Sequence, residues 1–90
     1  MARARLPERL TLDEASATLA ALREAMAGHG QGPVDVDAGA LRQFDSSAVA
    51  VLLELRRDLQ ARGCTLTVRD WPPRLRDLVQ VYGVQELLGA

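Results

Sequence analysis

The chain has 90 residues, which is room for one domain, and 48% of them are apolar, so we expect residues 1–90 to fold as a single unit. Eleven basic residues, all of them arginine, stand against twelve acidic ones, for a net charge of −1. A protein that binds nucleic acid usually carries a basic patch, so this balance argues against DNA or RNA as a partner.

Three features favour a cytoplasmic location. The longest apolar run, residues 48–53, is far shorter than the roughly 20 residues that cross a bilayer. Residues 1–9 contain Arg3 and Arg5 but lack the apolar stretch of a signal peptide. A lone cysteine, Cys64, has no partner for an internal disulfide and is typical of a reducing compartment. We therefore expect a protein that meets a membrane only through its partners.

The first third of the chain predicts one weak strand and one helix. Residues 3–10 favour only a short edge strand, because Pro7 does not fit a central strand. Thr11 and Glu14 have the spacing of a capping box, which predicts a helix that begins there. Apolar residues then recur every three or four positions up to Met26, and the glycine-rich segment 28–33 ends the helix.

The remaining chain continues the alternation of strands and helices. Residues 34–37 and 64–69 alternate apolar with polar side chains, which predicts two strands. Between them, a helix is expected to begin near Asp45 and to stop at Gly63. A last helix is expected from the two prolines at 72–73 to Tyr82, followed by a half-turn or a packed tail at 84–88. This order is typical of an α/β fold with crossover connections.

The residue types that usually carry catalysis are scarce. The sequence has no phosphate-binding loop, no dinucleotide-binding glycine motif and no metal-ligand spacing. His29 lies in a glycine-rich loop, where we expect a solvated side chain, and Cys64 opens a strand, where we expect a small buried one. We therefore predict no catalytic residues, no cofactor, no metal and no enzyme activity.

One loop remains as a candidate for function. Asp45, Ser46 and Ser47 lie between a strand and the first turn of the second predicted helix. Short oxygen-bearing side chains there are preferred as helix caps. The same position also presents a serine hydroxyl beside free backbone N–H groups, where phosphorylation would change the surface that a partner meets. These three residues alone do not decide between the two interpretations.

The chain resembles the STAS domains, a family that includes bacterial anti-sigma factor antagonists such as SpoIIAA. The similarity is carried by the strand at 34–37, the Phe-Asp-Ser-Ser loop at 44–47 and the helix at 48–55. The Pro-Pro-Arg-Leu-Arg run at 72–76 and the Tyr-Gly-Val run at 82–84 are similar to the MlaB branch. The resemblance implies a single STAS domain, with a small mixed sheet of three to four strands packed with three to four helices.

The MlaB resemblance also implies a function. MlaB is a non-enzymatic subunit of the Mla transporter, which moves phospholipid between the membranes of Gram-negative bacteria and maintains outer-membrane lipid asymmetry. There it binds the ABC-type ATPase MlaF, beside the permease MlaE and the substrate-binding MlaD. By this resemblance, Ser46 matches the hydroxyl position that helps to dock the ATPase. The expected partner-binding residues are Phe44, Asp45, Ser46, Ser47, Val49 and Trp71.

Two alternatives stay open. Ser47 matches the serine that is phosphorylated in anti-sigma factor antagonists, so the chain could instead be such a switch, although Ala48 stands where many antagonists have glycine. Trp71 could belong to the interface or could pack over the sheet as a plug.

Overall fold

The computed structural model describes residues 2–28 and 30–90, so the prediction of a solvated His29 lies outside the described residues. The elements of the described chain are β1 (Ala2–Arg5), β2 (Arg9–Leu10), α1 (Leu12–Met26), β3 (Gly32–Asp37), β4 (Gln43–Phe44), α2 (Ser46–Ala61), β5 (Cys64–Arg69), α3 (Pro73–Val81) and α4 (Gln85–Leu88). The α/β fold expected from the sequence is confirmed.

The strands form a three-stranded sheet in the order β1-β3-β5 and a two-stranded one, β2-β4. Every pairing among the described strands is parallel, so the expectation of a mixed sheet is wrong in this detail. The reason is that a helix lies between neighbouring strands of the main sheet, and such a crossover returns the chain in the same direction. β1 and β2 do not pair with each other. Instead, β1 pairs with β3, and β2 pairs with β4.

The two long helices cover one face of the main sheet. Both crossovers, β1-α1-β3 and β3-α2-β5, step in the same direction along the sheet, and right-handed connections then place both helices on the same side. There α1 and α2 pack against each other. The core between helices and sheet is aliphatic and includes Val34 and Val36 of β3, Leu22 of α1, and Leu52 and Leu55 of α2.

The other face of the sheet is polar. Asp35 alternates with Val34 and Val36 along β3, so its side chain lies on the face away from the helices. It is only 5% exposed, and its Oδ2 accepts a hydrogen bond from Arg69 Nε of β5 at 2.9 Å. The charged pair therefore satisfies a carboxylate that neighbouring strands shield from water.

The helix caps predicted from the sequence are present. Thr11 and Glu14 form a capping box, in which Glu14 Oε1 accepts hydrogen bonds from the backbone N of Thr11 at 2.9 Å and from its hydroxyl at 2.7 Å. Gly63, in the left-handed conformation at φ 74°, follows the end of α2. Cys64 is buried at the start of β5, as expected. The tail forms α4, and Leu88 packs into the core.

Candidate partner-binding surface

The segment before α2 is anchored from both sides. β4 was expected to be loop, but Gln43 and Phe44 pair with Arg9 and Leu10 of β2. Phe44 is half-buried against the core, and the guanidinium of Arg74 at the start of α3 lies 5.4 Å from the centre of its ring. This contact is in the range of a cation–π interaction. The loop that leads into α2 is therefore held in a defined position.

Asp45 caps α2 and also contacts α1. Its Oδ1 accepts a hydrogen bond from the backbone N of Ser47 at 2.8 Å, and its Oδ2 accepts one from the backbone N of Leu12 at 3.3 Å. The bond from the Ser47 backbone N–H is the main reason that the pKa of Asp45 is lowered, with smaller contributions from the Ser47 hydroxyl and the Leu12 N–H. One carboxylate thus joins the N-termini of both long helices.

The two serines that follow differ in exposure. Ser46, the first residue of α2, is exposed, whereas Ser47 is half-buried. Because Asp45 already caps the helix, neither serine hydroxyl is needed for that role. Ser46 is therefore free to present its hydroxyl to another molecule.

An apolar groove begins at Ser46. It has a volume of about 340 Å³ and is lined by Ser46, Val49, Ala50 and Leu53 of α2 and by Tyr82 and Val84 beyond α3. These six residues are called the α2 N-terminal surface below. Tyr82 is 55% exposed at its edge. A groove with a polar hydroxyl at one end and an aromatic side chain at its rim can bind an apolar side chain of another protein.

The predicted interface residues differ from one another in position and exposure. Phe44, Asp45, Ser46 and Ser47 lie together, as expected for consecutive residues. Val49 lines the groove but is only 3% exposed, so it offers a partner little surface.

Trp71 lies in another segment, between β5 and α3, and is not among the residues that line the groove. It is half-buried against the core, and its buried indole N–H has no hydrogen-bond acceptor among the described residues. Half-burial is compatible with both roles that the sequence left open, so the role of Trp71 stays a prediction.

Sequence reasoning missed Tyr82 and Leu12 as surface residues. Tyr82 follows the apolar spacing of α3, which suggests a core position, but α3 ends at Val81 and Tyr82 leaves the buried side. Leu12 is 76% exposed although it opens the apolar pattern of α1. No signal in the sequence separates these two from the core residues with the same spacing.

The described residues contain no group of His, Cys, Asp and Glu side chains arranged to hold a metal ion. None of the helices in the described ranges is both long and apolar enough to span a bilayer.

Comparison with known families gives one match. A family model described as "Mlab, STAS domain" matches residues 2–89, nearly the whole chain. A search of curated proteins finds no match. STAS domains are generally non-catalytic binding modules, which agrees with a site built from a helix cap and an apolar groove. The chain belongs to the MlaB-type STAS domain family.

Proposed function

We propose that this protein is a non-enzymatic adaptor subunit that binds an MlaF-like ABC-type ATPase and supports its work in a phospholipid transporter. In that role it would lie in the cytoplasm and reach the inner membrane only through the ATPase and its permease. The proposal rests on membership of the MlaB-type family together with the character of the α2 N-terminal surface.

The observation that carries the proposal is the exposed Ser46 beside the apolar groove. An adaptor needs a rigid surface that is complete before the partner arrives, because ordering a loop on binding costs affinity. Asp45 and Phe44 provide this rigidity, through the cap of α2 and the contact with Arg74. Tyr82 at the rim is the type of residue that often dominates the binding energy of an interface.

The structure gives the phosphorylation of Ser47 less support. The Ser47 backbone N–H donates a hydrogen bond to the Asp45 carboxylate, and the Ser47 hydroxyl also helps to lower the pKa of that carboxyl. A phosphate on that hydroxyl would bring about −1.5 to −2 charges next to the carboxylate, and like charges at this distance repel. The half-buried position of Ser47 also limits the access of a kinase.

The experiment is a quantitative pull-down from detergent-solubilised membranes of the native host, with the tagged full-length protein as bait. Ser46→Arg places a long charged side chain at the end of the groove and should reduce recovery of the ATPase at least tenfold. Gln60→Arg is the matched control, because Gln60 is exposed on the same helix near its other end. At a rise of about 1.5 Å per residue, the two positions are about 21 Å apart.

Equal recovery with wild-type, Ser46→Arg and Gln60→Arg proteins would refute the assigned surface. Recovery of a soluble kinase-like protein in place of an ABC ATPase, with phosphate on Ser47, would refute the transporter function and favour the antagonist switch. Melting temperatures of both variants should match that of the wild type, since both positions are exposed.

A further inference from the structure

The outer edge of β1 is unpaired in the described structure. β1 is the end strand of the sheet and pairs only with β3. The backbone N of Leu6 donates to the carbonyl of Asp37 at 2.9 Å, which continues the ladder with β3. Because hydrogen-bonding directions alternate along a strand, the backbone groups of Arg3 and Arg5 point away from β3. Pro7 is the next residue whose backbone points away from β3. It has no N–H to donate, so the part of the edge that can pair with another strand ends there.

A groove runs beside this edge, between β1 and α1. It has a volume of about 510 Å³, and Ala17, Ala21 and Ala25 line it on the helix side. All three alanines are exposed and lie four residues apart, on one stripe of α1. On the strand side the groove reaches Ala4 and Leu6. It has room for the inward-facing side chains of one more strand placed along β1.

On the other face, the edge strand itself carries two arginines, Arg3 and Arg5, while the neighbouring strand β3 carries Asp35 and Asp37. Arg3 and Arg5 pair in register with Asp35 and Asp37, so their side chains lie on the face away from the helices. Asp35 is already bonded to Arg69, and neither Arg3 nor Arg5 has an ion pair within the described part of the chain. A strand added to this edge would therefore have two exposed guanidinium groups, two residues apart, next to its own side chains on that face.

We propose that the free edge of β1 binds an extended segment of another protein, by strand addition, in which acidic residues alternate with apolar ones. The apolar residues enter the groove over Ala17 and Ala21, and the acidic residues pair with Arg3 and Arg5. A second copy of this chain is a poor occupant, because β1 placed against β1 would set arginine against arginine. This surface is separate from the α2 N-terminal surface, and the inference does not rest on the proposed function.

The test uses the full-length protein and two fluorescein-labelled hexapeptides with blocked ends, one alternating Glu with Val and the other alternating Lys with Val. Fluorescence anisotropy should show binding of the Glu peptide and at least tenfold weaker binding of the Lys peptide. The double variant Arg3→Glu, Arg5→Glu should reverse this preference. The matched control, Arg42→Glu with Arg76→Glu, changes two exposed arginines outside the edge and should keep the wild-type preference.

Amide hydrogen exchange locates the contact. The Glu peptide should slow exchange at the backbone N–H groups of Arg3 and Arg5. If the double variant does not fold, Ala21→Phe fills the groove from an exposed helix position without adding charge and should weaken the Glu peptide at least tenfold. Absence of binding, equal affinity for both peptides, or unchanged exchange at Arg3 and Arg5 would overturn the proposal, as would a dimer of the free protein joined through β1.

Discussion

The two faces of α2 both carry apolar side chains near the start of the helix, but these side chains have different surroundings. On the inner face, Leu52 and Leu55 are at most 1% exposed and contact the core. On the outer face, Ala50 is exposed and Leu53 half-buried, and both line the groove that begins at Ser46. The inner face is covered by this chain, whereas the outer face has an apolar groove that another protein can cover. Substitutions on the inner face should therefore change stability, and those on the outer face should change binding.

The largest effect is expected on the inner face. Leu52→Ala should lower the free energy of unfolding by about 2–5 kcal/mol, since Leu52 is fully buried and its loss leaves a cavity. Urea unfolding measures the difference. The matched control is Leu12→Ala, at a position 76% exposed, which should change the same quantity by less than about 0.5 kcal/mol. Equal losses for the two variants would remove the distinction between the inner face and the surface.

Substitutions of Trp71 test whether this side chain contributes to core packing or to partner binding. Trp71→Ala should lower the free energy of unfolding by less than the about 3–5 kcal/mol typical of a fully buried aromatic residue, because Trp71 is half-buried. Trp71→Phe should lose clearly less, because it keeps a ring and removes the buried indole N–H, which has no acceptor in residues 2–28 and 30–90. Thermal melts compare the variants. Unchanged stability of Trp71→Ala together with weaker partner binding would place Trp71 in the interface and not in the packing.

The smallest effect is on the free energy of unfolding at acid pH. It depends on Asp45, which caps α2 and is also one of the predicted interface residues. Its pKa is lowered from 3.8, mainly by the Ser47 backbone N–H, so the charged form is favoured in the folded state. The stabilisation is therefore fully present above the ordinary pKa and is lost as the pH falls through the lower pKa of the folded protein.

Urea unfolding between pH 2 and pH 6 measures this dependence. Asp45→Asn should flatten the acid part of the profile, because an amide can still cap the helix but does not titrate there. Ser47→Ala should keep most of the dependence, since it retains the backbone donor and loses only the smaller contribution of the hydroxyl. A wild-type acid slope in Asp45→Asn would show that other carboxylates produce it.

The sequence predicted the elements whose signals are local. The capping box at Thr11 and the prolines before α3 mark helix starts through backbone chemistry that needs no tertiary contact. β4 was missed, because two residues have no periodicity and Gln43 is strand only by pairing with β2. The wrong expectation of a mixed sheet came from the family resemblance, whereas the alternation of strands and helices along the chain already favours the parallel pairing of the main sheet.

The candidate site was predictable only in part. Asp45 and Ser46 were identifiable because a helix cap is marked by its residue type, and the residue after it in the sequence is the first of the helix. Tyr82 was not, because its exposure depends on where α3 ends and on how the chain continues into α4. The low exposure of Val49 likewise depends on packing against neighbouring elements, which residue type alone does not determine.

The most direct test of the central claim, that the outer face of α2 binds an ABC-type ATPase, is site-specific photo-crosslinking in the native host. Benzoylphenylalanine is placed at Ala50 on the outer face or, as a control, at Gln60, and the crosslinked products are identified by mass spectrometry. Crosslinks from position 50 to an ABC-type ATPase, with none from position 60, are the predicted result. Crosslinks from position 50 only to proteins that are not part of a transporter, or none at all, would contradict the account.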